Sequence, residues 1–321
     1  MKKSFTKFLK IALPLALGIF LVYYSYSKFT PEQLDEITFY FKKADYTFVA
    51  LSVILTLISH ILRATRWNLL LAPIGFKPRV LNNFMAISVA YLMNMFIPKS
   101  GEISRGIVLD KYEDVPFDKG FGTIISERVV DLVFLMAFTA LALFLQFDEL
   151  YAFLTETIKP SKLFMAFGAL AILGLLFFVF LKYSKSTLQK KLKQFLLGLK
   201  DGVFSIFKMK QKTSFVIQTF LIWGLYFFSF YTAMFALPET SSIPFGTVVI
   251  AFVVGSFSFA FTNSGFGTYP FFVAAILAVF GIAETAGTAF GWIVWTSNIC
   301  SIVFFGGLSF LFLPIYNKVK A

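Results

Sequence analysis

The feature that most limits what this chain can fold into is a series of long apolar runs repeated nearly end to end. A helix rises about 1.5 Å per residue, so about 20 apolar residues match the roughly 30 Å hydrocarbon core of a bilayer. Runs of this kind occupy about 11–24, 46–71, 121–147, 162–181, 214–237 and 286–313. Inside a bilayer only helices and closed barrels satisfy their backbone groups, and these runs lack the alternation of barrel strands. Charge is scarce as well: 14% of residues are charged and 58% are hydrophobic, against about a quarter charged in soluble domains. The expected fold is an all-α polytopic membrane protein, one helical bundle over residues 1–321.

Charge placement sets the expected topology. Lys2, Lys3, Lys7 and Lys10 precede the first run, but Tyr23-Tyr24-Ser25-Tyr26 offers no small-residue cleavage site, so that run reads as an uncleaved anchor. Thr30-Pro31-Glu32-Gln33 then forms a capping box with proline at the first helical position, opening a short helix with Leu34, Ile37 and Phe41 on one face. Cytoplasmic loops are enriched in Lys and Arg. The loop holding Arg63, Arg66, Lys77 and Arg79 is therefore inside, as is the segment from Lys182 to Lys212, where nine lysines face one aspartate. Within that segment Leu188, Leu192, Phe195, Leu196, Leu199, Val203 and Phe207 recur at helical spacing, which predicts an amphipathic interfacial helix at about 185–210. Its lysines follow from the positive-inside rule and not from nucleic-acid binding. Acidic or uncharged loops at Asp35-Glu36, Asp148-Glu149 and Glu239 fall outside, and both termini fall inside.

Two further apolar stretches, 81–98 and 244–281, are interrupted by polar residues, glycine and proline. Parity requires the first to enter and leave from the inside and the second from the outside, so each is a re-entrant hairpin. Residues 46–147 and 213–313 then share one order, span, hairpin, span, with opposite orientation. That is the inverted-repeat plan in which broken helices form a site near the midplane.

The hairpin tips and a charged cluster supply the candidate site. At the first tip Asn94, Pro98, Lys99, Ser100, Gly101 and Glu102 break the run, with Arg105 one turn later. Ser100 can cap the second half-helix, and an exposed helix N-terminus there favours an anion. The second tip, Asn263, Ser264, Gly265, Gly267 and Thr268, offers glycines for close backbone approach and Thr268 as a cap. Glu127, Arg128 and Asp131 sit early in a full span, where each charge costs about 2.5–3.5 kcal/mol near the bilayer centre and needs a partner or a wet cavity. Arg63, Arg66 and Trp67 at the inner end of the second span suit a lipid phosphate or serve as a helix anchor. His60 stands alone, no residues have metal-ligand spacing and no nucleotide motif occurs, so no catalytic centre, metal or cofactor is expected. The lone Cys300 rules out an intramolecular disulfide and reads as a small buried hydrophobe.

Arg63-Ala64-Thr65-Arg66-Trp67, Pro98-Lys99-Ser100-Gly101-Glu102 with Arg105, and Glu127-Arg128 with Asp131 together resemble the lysylphosphatidylglycerol synthase transmembrane-region family, also called flippase-like. In that family the second tip usually reads Pro-Gly-Gly-x-Gly followed by Glu. Here Asn263-Ser264-Gly265-Phe266-Gly267 is followed by Tyr269-Pro270, and the acid is missing. The resemblance implies lipid translocation across the inner membrane, with membrane lipids bearing anionic or phosphate headgroups as partners. Namesake members add a soluble aminoacyl-transferase domain. The chain stops at Ala321, so aminoacyl transfer is not expected of it. The leading expectation is a bacterial inner-membrane flippase or a transporter of a lipid-linked precursor. A membrane-embedded enzyme acting on polyprenyl-phosphate lipids, and an accessory subunit of an envelope-building complex, acting as a homo-oligomer or with partners, remain alternatives.

This topology makes a direct prediction. Reporter fusions at Asp148 and Glu239 should be active only when exported, and a fusion at Lys200 only in the cytoplasm. An exported reporter at Lys200 would remove the parity argument and both hairpins with it.

Overall fold

The computed structural model describes residues 2–97, 99–149, 151–152 and 209–318, with isolated positions between 165 and 189. Every regular element among the described residues is helical: α1 (Lys2–Lys28), α2 (Pro31–Lys43), α3 (Tyr46–Leu71), α4 (Val80–Phe96), α5 (Ser100–Glu113), α6 (Phe117–Leu145), α7 (Lys212–Met234), α8 (Pro238–Ser241), α9 (Phe245–Phe261), α10 (Thr268–Val279) and α11 (Glu284–Tyr316). Four of these, α3 with the 3-10 turn that extends it, α6, α7 and α11, are long and apolar enough to cross a membrane. The protein is an all-α polytopic membrane protein. The anchor expected at 11–24 lies within α1. The span expected at 162–181 and the interfacial helix at 185–210 fall outside the described residues apart from isolated positions.

Two compact units divide the chain: residues 1–124 with 213–321, and residues 125–212. In the first, both interrupted stretches are helix pairs. Residues α4 and α5 pack on each other, as do α9 and α10, and each of these helices is shorter than a full span. The order span, hairpin, span appears in both halves, as α3, α4–α5, α6 and as α7, α9–α10, α11.

Helix α11 is the shared buttress, packing against α10 of one hairpin, α4 of the other, and α2 and α3. Glycines allow the approach. A Cβ at Gly291 would stand 2.8 Å from Pro270 Cα, one at Gly287 3.2 Å from Ala274 Cα, and one at Gly306 2.7 Å from Leu92 Cβ. Gly287 and Gly291 are four apart, the small-residue spacing that brings membrane helices into close contact. The far side of α11 carries Phe304, Phe310, Leu311 and Phe312, all exposed, as suits a face turned toward lipid. Cys300 is also exposed there, contrary to the buried position expected of it, because it falls on the side of α11 away from both hairpins.

Helix α2 forms as its sequence dictates. Gln33 N–H donates to Thr30 Oγ1 (3.3 Å) while Thr30 N–H donates to Gln33 Oε1 (2.9 Å), with Pro31 at the first turn. Ile37 and Tyr40 are its buried residues, so the packed stripe includes a tyrosine beside the aliphatic positions.

The α4–α11 contact yields a paired test. Leucine at Gly306 would overlap Leu92 and the Ser88 carbonyl, whereas nothing lies within 4 Å of a Cβ at the adjacent Gly307. Gly306→Leu should lower the thermal midpoint in detergent by the equivalent of about 1–3 kcal/mol, the usual cost of overpacking, and Gly307→Leu should leave it unchanged. Equal effects at the two positions would show that the crossing does not limit stability.

Candidate functional site

The first tip is built by side chains that finish two half-helices. Ile97 ends α4 in an extended conformation (φ −130°, ψ 115°), as expected of a residue before proline, and Lys99 turns the chain with φ 60°. Lys99, not Ser100, occupies the N-cap position. Ser100 is the first helical residue and its Oγ donates backwards to the carbonyls of Ile97 (2.7 Å) and Met93 (3.0 Å). The side chain that caps α5 is Asn94, whose Oδ1 accepts from the Gly101 N–H at 2.8 Å. Gly101 is required by space: a Cβ would collide with the Ala90 carbonyl and stand 2.6 Å from Asn94 Nδ2. Glu102 in the first turn places an acid where the helix dipole favours one. Pro98 lies outside the described residues.

One turn further, Arg105 joins the tip to the end of α3. Its guanidinium stacks over the Trp67 ring, Cζ 3.9 Å from the centroid, and Trp67 Nε1 donates to Thr123 Oγ1 at 2.9 Å. Arg66 faces the Phe215 ring at 5.3 Å and donates from one terminal nitrogen to Thr219 Oγ1 at 2.9 Å; Arg63 faces the Tyr226 ring at 5.9 Å. Arg63, Arg66 and Arg105 are 3%, 0% and 1% exposed and Trp67 is 0%. Three guanidiniums are thus enclosed between helices, each beside an aromatic ring that stabilises its charge without accepting its in-plane N–H groups. The sequence pointed to these arginines but not to Phe215, Thr219 and Tyr226 on α7. The aromatic and hydroxyl positions of α7 look like any others in an apolar span until the fold brings α3 against them.

The second tip takes a different form. Ser264, Gly265 and Gly267 have φ of 52°, 72° and 66°, and Gly267, not Thr268, is the N-cap of α10. The Thr268 hydroxyl instead lies 2.9 Å from that of Thr262, bridging the ends of α9 and α10. Trp295 Nε1 of α11 donates to the Ser264 carbonyl at 2.9 Å. Asn263 is 7% exposed, and its Oδ1 is buried without a hydrogen-bond partner among the described residues. Helix α1 lies directly on this tip: a Cβ on Gly18 would stand 2.5 Å from the Phe266 carbonyl oxygen, and one on Gly267 2.8 Å from Gly18 C. The close backbone approach expected of these glycines is therefore made to α1.

Glu127, Arg128 and Asp131 belong to the second compact unit. Glu127 is 0% and Asp131 9% exposed, and Arg128 pairs with Asp131 at 3.6 Å across one turn of α6, as their spacing of three allows. His60 lies between the rings of Tyr91 (4.7 Å) and Tyr226 (6.2 Å), and no group of metal-ligating side chains occurs among the described residues.

A further cluster had no sequence signal. At the open end of the first hairpin, Arg79 Nε donates to Glu113 Oε1 at 2.8 Å, and this hydrogen bond to the Glu113 carboxylate raises the guanidinium pKa. Arg79 also reaches Asn317 Oδ1, and Asn82 Nδ2 donates both to Glu113 and, at 2.9 Å, to Asn317. Asn317 Nδ2 returns a bond to Asn82 Oδ1 at 3.0 Å. This clamp fastens the start of α4 and the end of α5 to the end of α11.

Curated relatives carry little functional detail. A UPF0104 membrane protein of Methanocaldococcus jannaschii is 27% identical over 33% of this chain and 32% of its own length. One of Pyrococcus horikoshii is 24% identical over 57% of this chain and 62% of its own. A second from M. jannaschii is 26% identical over 68% of this chain and 92% of its own. The chain therefore spans about a third of the first of these relatives and under two thirds of the second. No solved structure matches. The model of the family described as the lysylphosphatidylglycerol synthase TM region matches residues 11–314, which takes in both hairpins, the buried arginines and the Glu127–Asp131 cluster, and the chain belongs to that family.

Proposed function

We propose that the protein moves an anionic phospholipid or a lipid-linked precursor across the cytoplasmic membrane, with both termini inside. The observation that carries this reading is the enclosure of Arg63, Arg66 and Arg105 among apolar helices beside a broken-helix tip. Ionisable groups held at apolar depth commonly mark a substrate path, and planar guanidiniums suit phosphate oxygens. Aromatic backing orients each guanidinium, and a headgroup phosphate would exchange with the partners these arginines now hold. The enclosure also implies motion. With the three arginines nearly inaccessible, a headgroup reaches them only when the first hairpin shifts against α3 and α7. The clamp at Arg79, Asn82, Glu113 and Asn317 holds the hairpin's base, which leaves its tip as the part that moves. Glu127 and the Arg128–Asp131 pair form a second buried charge group in the other unit, to which the same reading gives a stabilising or gating part in transport.

The test is transbilayer movement in liposomes. Purified protein should accelerate exchange of a labelled anionic phospholipid or polyprenyl-phosphate lipid over empty vesicles. Arg105→Ala and Asp131→Asn should each lower that rate at least tenfold while keeping a measurable folded midpoint. A purely structural role behaves otherwise, because removing one member of a buried charge network costs about 3–5 kcal/mol of stability. Folded variants with unchanged transport, or wild-type protein that moves none of a panel of native lipids, would overturn the proposal.

A further inference from the structure

Away from the arginines, a cavity of about 110 Å³ lies between α1, α10 and α11. One water needs roughly 10–15 Å³ on this measure, so the space accepts a group of on the order of ten heavy atoms. Its walls are chemically uneven. Tyr24 and Trp292 present rings, Gly267 and Pro270 bring backbone close, and Lys28 and Glu284 stand on the lining with one charge of each sign. Lys28 Nζ bridges both Glu284 oxygens at 2.8 and 3.0 Å, and the two side chains are 48% and 39% exposed. The Gly18–Gly267 contact pins α1 against the second tip, so α1 is a fixed wall of the cavity.

This charge pattern selects among ligands. A simple anion at Lys28 would have to break the ion pair and would meet the Glu284 carboxylate beside it. A simple cation at Glu284 would meet the Lys28 ammonium. A ligand carrying both charges a few ångströms apart can insert between the two side chains and replace one ion pair with two. A half-exposed surface pair contributes little by itself, so its separation is not a large obstacle. The rings of Tyr24 and Trp292 add favourable faces for an ammonium group.

We infer that the cavity between α1, the second hairpin and α11 is a binding site for a zwitterionic group of the phosphoethanolamine class, its phosphate on Lys28 and its ammonium on Glu284. Such a group comes either on a membrane lipid or as a free soluble zwitterion. The site shares no residue with the arginine group, so it stands or falls independently of the transport reading.

Thermal unfolding of the purified full chain in nonionic detergent tests the inference. Glycerophosphoethanolamine and short-chain phosphatidylethanolamine serve as free and lipid-borne zwitterions, with short-chain phosphatidylglycerol and ethanolamine as single-charge controls. At least one zwitterion should raise the midpoint saturably, and each control should show at least tenfold weaker apparent affinity. Stabilisation by the lipid alone identifies a bilayer source, and by the free compound as well, a soluble one. Lys28→Gln, Glu284→Gln and the cavity-filling Ala275→Trp should each weaken the zwitterion at least tenfold, while the double exchange K28E/E284K should restore it to within about threefold. Lys28 and Ala275 are exposed and the Glu284 side chain is 39% exposed, so the unliganded midpoint should hold. The inference is overturned if neither zwitterion stabilises, if phosphatidylglycerol matches them, or if the three single variants bind as the wild type does.

Discussion

A helix broken inside a membrane leaves N–H and C=O groups that no water can reach, so the protein itself must satisfy them. That requirement organises this molecule. At the first tip Asn94 takes the Gly101 N–H and Ser100 serves the Met93 and Ile97 carbonyls. At the second, the turn closes through Phe266 N–H to Asn263 O and Tyr269 N–H to Gly265 O, while Trp295 reaches in from α11. Short hairpins that complete their own tips still need walls on their flanks. Helix α11 supplies one to both, at Gly306 for α4 and at Gly287 and Gly291 for α10.

The same economy explains the arginines. A guanidinium enclosed among apolar helices needs neighbours that tolerate its charge without taking up all its donors. Aromatic faces do this: Trp67, Phe215 and Tyr226 each lie against one guanidinium, and a ring face stabilises the cation without accepting its in-plane N–H groups. Arg105 and Trp67 also join the first tip to α3, so a rearrangement at the tip is felt at the end of the full span. The two tips are not equivalent in this respect, since the described contacts of the second are with α1 and α11 and include no arginine.

The long apolar helices were legible in the sequence, because apolar length is a coarse signal that survives without an alignment. The Thr30–Gln33 capping box followed from local chemistry, and the breaks within the two helix pairs from the polar, glycine and proline residues that interrupt their apolar stretches. The caps at the tips did not. Ser100 and Thr268 carry the hydroxyls that usually cap, yet each falls one residue inside its helix, because Lys99 and Gly267 turn the chain with positive φ. Cys300 was misplaced because an apolar run gives no hint of which face meets protein and which meets lipid. Nor does any local pattern join Asn82 to Asn317 or Trp67 to Thr123, since these contacts depend on how distant helices cross.

The clamp on the first hairpin also bears on how the protein is made. Asn82 and Asn317 are 235 positions apart, so the partner that completes the Arg79–Asn82–Glu113 group is synthesised long after the hairpin itself. At about 5–20 residues per second the interval is roughly 12–47 s, far longer than helix formation takes. During that time the hairpin's polar base and the glycine-matched groove of α4 await α11. A chain ended before α11 would therefore leave the Arg79–Asn82–Glu113 group one member short and the α4 groove without its Gly306 partner.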